Sequence, residues 1–80
     1  MAQIDIDTIK RVNKERNTLH AKVFTTYTSF EESGKKYFQI DTYGRSDRKM
    51  PEKISQSIQL DEETARLLVN LLVKEFHFKL

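Results

Sequence analysis

The clearest pattern in the chain lies in KYFQIDTY, residues Lys36 to Tyr43, where Phe38, Ile40 and Thr42 alternate with Tyr37, Gln39, Asp41 and Tyr43. A period of two over eight residues predicts a β-strand with one face turned to a core and the other to water. Upstream, Leu19 to Phe30 is rich in β-branched and aromatic residues (Val23, Phe24, Thr25, Thr26, Tyr27, Thr28, Phe30) and predicts a first strand. The polar, glycine-containing link Glu31-Glu32-Ser33-Gly34-Lys35 between them suits a hairpin connection. Downstream, Gly44 to Lys53 holds the second glycine and the single proline and reads as a loop. ISQSIQL then predicts a third strand, with Ile54, Ile58 and Leu60 sharing a face with Gln56, and Ser55, Ser57 and Gln59 on the other.

The period changes after Leu60. Asp61 is a suitable N-cap, and Glu62 and Glu63 follow where the helix dipole favours negative charge. Ala65, Leu68, Val69, Leu72, Val73 and Phe76 recur at three- and four-residue spacings, which predicts an amphipathic helix. Leu67 and Leu71 widen the apolar arc beyond what one sheet contact needs. Either they meet a second copy of the chain or they pack beneath the N-terminal arm of the same chain. Residues 1–18 are polar, and Asp7 could cap a short helix carrying Ile9 and Val12; the segment is either that helix or a solvated arm.

These elements predict an α+β fold: an antiparallel sheet of three or four strands with a C-terminal helix packed on one face, preceded by an N-terminal arm or short helix. Residues 1–18 form the arm and 19–80 the sheet and helix of a single domain. Val23, Phe38, Ile40, Ile58, Leu60, Leu68, Leu72 and Phe76 are the expected core.

Length limits what such a chain can do alone. Eighty residues support only a small core, and with no cysteine there is no disulfide to compensate, so oligomerisation, a homodimer first, is a natural expectation. Five Phe and three Tyr argue against disorder. The N-terminal stretch has no apolar run of the secretory kind, no segment reaches the ~18 apolar residues of a membrane span, and a reducing cytoplasm is the expected setting. A net charge of +2 permits a polyanionic partner without requiring one.

Catalytic patterns are weak. His20 and His77 lack ligand spacing, and Gly34 and Gly44 stand alone, so neither a metal site nor a phosphate loop is expected. Asp41 followed by Asp47 and Lys49 loosely matches a Mg²⁺-dependent nuclease pattern. However, Asp47 and Lys49 fall in the loop, and Asp41 and Asp47 read better as a solvated strand residue and a turn former. We expect no enzyme activity, no cofactor and no metal.

A binding surface is the stronger candidate. Tyr37 and Tyr43 share a strand face with Gln39 and Asp41, strand three adds Lys53, Ser55, Ser57 and Gln59, and the loop adds Arg45, Arg48 and Lys49. Unpaired bases stack on aromatic rings while cations follow the phosphates, so single-stranded nucleic acid is the ligand this pattern fits. Alternatively, the tyrosines form a cross-strand aromatic layer beside a solvated turn.

The pieces KKYFQIDTYGR, KMPEKISQSIQL and DEETARLLVNLL resemble, in their order, the single-stranded-DNA-binding transcriptional coactivator family, and the purine-rich-element-binding repeats are similar. The resemblance implies helix-mediated dimers and a sheet face that binds melted or single-stranded DNA or RNA. It also implies contacts from Lys36, Tyr37, Tyr43, Arg45, Lys49 and Lys53. The glycine those families place before the third strand is replaced here by Ser55-Gln56-Ser57, and the helix has no tryptophan. The stretch DTYGRSDRKMPEKISQSIQLDEE also looks like short bacterial proteins labelled methionyl-tRNA formyltransferase-like, although 80 residues cannot hold that enzyme's two domains. The expected function is thus a non-enzymatic module for single-stranded DNA or RNA, acting as a dimer. The alternative is a small inhibitor or accessory subunit that docks on a larger protein through its helix or a strand edge.

Overall fold

The computed structural model describes residues 1–44 and 53–80. Four strands and one helix follow in the order β1 (Ala2–Gln3), β2 (Thr25–Glu32), β3 (Lys35–Tyr43), β4 (Ile54–Asp61) and α1 (Glu62–Phe76). The sheet order is β1-β4-β3-β2. β2, β3 and β4 are antiparallel neighbours, and β1 joins the outer side of β4 in parallel. The α+β class, the four-stranded sheet and the C-terminal helix on one face are as the pattern predicts.

The β2–β3 hairpin turns through Ser33 and Gly34, both at positive φ (54° and 76°). Two consecutive left-handed residues give a turn whose twist matches that of the flanking strands, and glycine takes the second position without strain. β4 runs directly into α1. Asp61 holds an extended backbone, and its carboxylate accepts the Thr64 backbone N–H at 2.8 Å, satisfying one orphan donor of the first turn. At the other end His77 adopts φ 59°, and its N–H closes on the Val73 carbonyl.

The Asp61 carboxyl is held below its ordinary value of 3.8 by the Thr64 N–H, with the Lys35 charge adding to the effect. A depressed carboxylate stabilises the fold fully above the unfolded value and loses that contribution as pH falls through the lower folded value. Thermal stability should therefore fall below pH 3.8. The part of that fall due to the cap should be absent in Asp61→Asn, which keeps an acceptor without titrating. Melting curves across acid pH check this.

Faces follow from register. Phe38 pairs with Leu60 and Ile40 with Ile58 on one side of the sheet, while Gln39 pairs with Gln59 and Asp41 with Ser57 on the other. The helix lies on the Phe38–Leu60 side, where Ala65 lines a cleft with both residues. Leu60 is the one apolar residue fully withdrawn from water among the described residues, at 5% exposure.

The observed core is thinner than expected. Phe38, Ile40, Leu68 and Val23 are half-buried, but Ile58 (42%), Leu72 and Phe76 (64%) are exposed. The reason is geometric, because a single 15-residue helix crosses β3 and β4 only and cannot cover a four-stranded face.

Two other expectations are corrected, and the choice left open between helix and arm for the N-terminal segment is decided. The first strand begins at Thr25 and not Leu19: its partner β3 ends at Tyr43, the last backbone bond runs from the Tyr43 N–H to the Phe24 carbonyl (3.0 Å), and residues 19–23 have no strand partner among the described residues. No helix forms at Asp7. Instead Asp5 closes a turn, its carbonyl accepting from Thr8 N–H (3.1 Å) and its side chain from Asp7 N–H (2.9 Å), so the segment is an arm. A register shift between Thr42 and Tyr43 places Ile54 opposite Tyr43, which moves Ile54 off the face of Ile58 and Leu60.

Candidate nucleic-acid interface

The sheet face away from α1 is built from alternate residues of three strands. β3 contributes Lys35, Tyr37, Gln39, Asp41 and Tyr43; β4 contributes Ser57 and Gln59; β2 contributes Thr26, Thr28 and Phe30. Aromatic pairs stand at the two ends. Phe30 and Tyr37 are directly cross-strand and stacked, with centroids 5.6 Å apart and planes 22° apart. Phe24 and Tyr43 meet edge to face at 5.4 Å, and the Tyr43 hydroxyl shares a 3.2 Å hydrogen bond with Thr26 Oγ1. The two tyrosines are six positions apart along β3, about 20 Å at the rise of a strand.

Between the aromatic ends runs a row of polar side chains. Asp41 is 5% exposed and Ser57 is also buried. One oxygen of Asp41 accepts from Ser57 Oγ and from Gln39 Nε2 (2.8 Å), and Gln39 Oε1 in turn accepts from Gln59 Nε2 (2.7 Å). A carboxylate can only accept, so the Gln39 amide must turn its nitrogen to Asp41 and its oxygen to Gln59. That fixes the direction of the whole row. Among the described residues the Gln59 carbonyl oxygen and second N–H have no side-chain partner, and they lie beside a hollow of about 390 Å³ lined also by Gln3, Ser57 and Ile54.

Asp41 was expected to be a solvated strand residue. It is buried because both neighbouring strands supply partners that replace water, which is the condition for burying a carboxylate. Among the described residues no group of three or more His, Cys, Asp or Glu side chains converges to hold a metal ion.

The predicted contact residues are divided by this geometry. Tyr37 and Tyr43 lie on the open face and are half-buried against their aromatic neighbours. Lys53 is exposed just before β4. Lys36 stands on the opposite face, lining the cleft beside Phe38 and Ala65 under the start of α1. Arg45, Arg48 and Lys49, with Asp47, lie outside the described residues. Lys35 is the cation that strand parity puts beside Tyr37, and Phe30 is the ring that pairs with it; the alternation of the two strands held both signals. Leu67 and Leu71 are half-buried, while the helix flank that reaches water carries Val69, Leu72 and Phe76.

No protein-family model, no curated protein and no solved structure matches this chain. No helix among the described residues is long and apolar enough to cross a membrane.

Proposed function

We propose that the chain is a non-enzymatic module that binds single-stranded DNA or RNA on the sheet face away from α1, acting as a dimer. The observation that carries this reading is the juxtaposition of aromatic pairs and a directed amide row on a face the helix leaves open. Tyr37 and Tyr43, each backed by a phenylalanine, offer ring surface to unpaired bases, and Lys35 and Lys53 offer charge to phosphates. Gln59 presents a carbonyl and an N–H side by side, a pair that matches the donor and acceptor on a base edge. In a duplex the Watson–Crick edge is already occupied, so the arrangement favours unpaired bases. The resemblance of KKYFQIDTYGR, KMPEKISQSIQL and DEETARLLVNLL to the single-stranded-DNA-binding coactivators points the same way.

Fluorescence anisotropy with labelled single-stranded and duplex oligonucleotides tests the proposal. Single strands should bind more tightly than duplex, affinity should fall steeply as salt rises, and Tyr37→Ala or Tyr43→Ala should each weaken binding by about 1–3 kcal/mol. Equal affinity in both variants and the parent chain would reject the face.

A second reading, docking on a larger protein as an inhibitor or accessory subunit, is favoured by one feature. Val69, Leu72 and Phe76 are exposed along one helix flank, and Phe76 continues into Phe78 as a stacked pair at 5.3 Å. That reading predicts no oligonucleotide binding even at low salt.

A further inference from the structure

The sheet ends differently on its two sides. Beside β4, the two-residue β1 and the Ile4 N–H bonded to the Gln59 carbonyl (3.0 Å) cover part of the edge. β2, on the far side, is eight residues long, and no backbone group among the described residues bonds to its outer edge. The bond from Tyr43 N–H to Phe24 carbonyl shows which residues point inward. In an antiparallel ladder bonded and non-bonded pairs alternate, so Thr26, Thr28, Phe30 and Glu32 face β3. Thr25, Tyr27, Ser29 and Glu31 therefore turn their N–H and C=O groups outward.

This edge has few of the features that keep edges unpaired. TTYTSFEE contains no proline, lysine or glycine, its pairing with β3 has no register shift, and its only charges sit at one end. Its first six residues are β-branched, aromatic or serine, a composition suited to a paired strand.

We propose that a second copy of the chain occupies the β2 edge, antiparallel about a two-fold axis at Thr28, so that two four-stranded sheets become one of eight strands. Only registers that bring outward residues opposite outward residues form bonds. With the axis at Thr28, Thr25 meets the partner's Glu31 and Tyr27 meets the partner's Ser29, and by symmetry all four outward residues of both chains are used. An axis one residue either way leaves an end residue without a strand partner. An axis at Phe30 makes Glu31 and the partner's Glu31 diagonal neighbours, an unfavourable like-charge contact. At Thr28, the Glu31-Glu32 end lies across from the partner's Thr25 and Phe24, with the partner's Lys22 two residues beyond.

The same partner covers apolar surface that the monomer leaves wet. Tyr27 is 71% exposed and stacks on Phe38 at 5.2 Å; across the axis it becomes a diagonal neighbour of the partner's Tyr27. Joined in this way, the two open faces form one surface in which Phe30 stands opposite the partner's Thr26. The proposal deepens the dimer of the preceding section but does not depend on nucleic-acid binding.

Light scattering coupled to size exclusion of the full chain tests it. The parent chain should run at about twice its 9.5 kDa mass at micromolar concentration. Ser29→Pro removes an outward N–H and no bond to β3, a position where an edge strand tolerates proline, and should run as a monomer with unchanged circular dichroism. Tyr27→Lys, which blunts the edge while keeping the backbone donors, should do the same and decides the matter if the proline variant fails to fold. A monomeric parent chain, or dimers that persist in the folded variants, would overturn the proposal. Oligonucleotide binding by a monomeric parent chain would overturn it while leaving the nucleic-acid reading standing.

Discussion

Leu60→Ala should destabilise the fold by about 2–4 kcal/mol, enough to leave much of the chain unfolded at room temperature. Leu60 is the only apolar side chain among the described residues that water does not reach, and it ties Phe38 of β3 to Ala65 at the start of α1. A domain of this length has a total stability of roughly 4–12 kcal/mol, and a core this thin belongs at the low end. Because Leu60 precedes the Asp61 cap by one residue, collapse at this point would also release the helix from the sheet. Urea titration followed by circular dichroism measures the loss. Val69→Ala, on the exposed flank of the same helix, should change stability far less in the monomer.

Asp41→Ala should cost a comparable amount, about 2–4 kcal/mol, for a different reason. Alanine would leave the buried Ser57 hydroxyl and the half-buried Gln39 amide without their acceptor, and the penalty is chiefly that of the Ser57 donor cut off from both protein and water. It would also free Gln39 to turn over, and Gln59 would lose its fixed direction. Asp41→Asn separates the two effects. Asparagine keeps an oxygen that can accept from both donors, so stability should fall less, yet its amide nitrogen can be turned inward instead, so the row is no longer compelled to point one way and oligonucleotide affinity should still drop. Equal losses of stability in the two variants would show that charge, and not the count of satisfied donors, holds the row together.

How much of this was readable from residue order depends on whether the deciding interaction is local. β3 was legible because KYFQIDTY alternates over its whole length. The helix was legible because Asp61, the acidic first turn and the three-and-four spacing agree on one start and one face. Hairpin and turn followed from a single glycine between two β-forming runs. What was not legible was set by partners distant in sequence. The start of β2 is decided by where β3 ends, and Leu19 to Val23 have good strand composition with no strand to join among the described residues. β1 is two residues long, too short for any periodicity to announce. The exposure of Ile58, Leu72 and Phe76 depends on the path of α1 across the sheet, which spacing along the helix does not specify.

The candidate site shows the same division. Strand parity put Tyr37, Gln39, Asp41 and Tyr43 together, and the register with β4 added Ser57 and Gln59 as the alternation implied. Lys36 was grouped with Tyr37 by adjacency, and adjacency in a strand means opposite faces. The burial of Asp41 depended on Gln39 and Ser57 reaching one oxygen together, a convergence that no residue pattern spells out.

Binding of a ligand on the sheet face opposite α1 is tested most directly by amide chemical-shift mapping by NMR with a short single-stranded oligonucleotide. Shifts are predicted at Gln39, Asp41, Ser57 and Gln59, with side-chain amide signals of Gln59 moving most and Val69, Leu72 and Phe76 still. Perturbations confined to the helix flank, or a spectrum unmoved by saturating oligonucleotide at low salt, would contradict it.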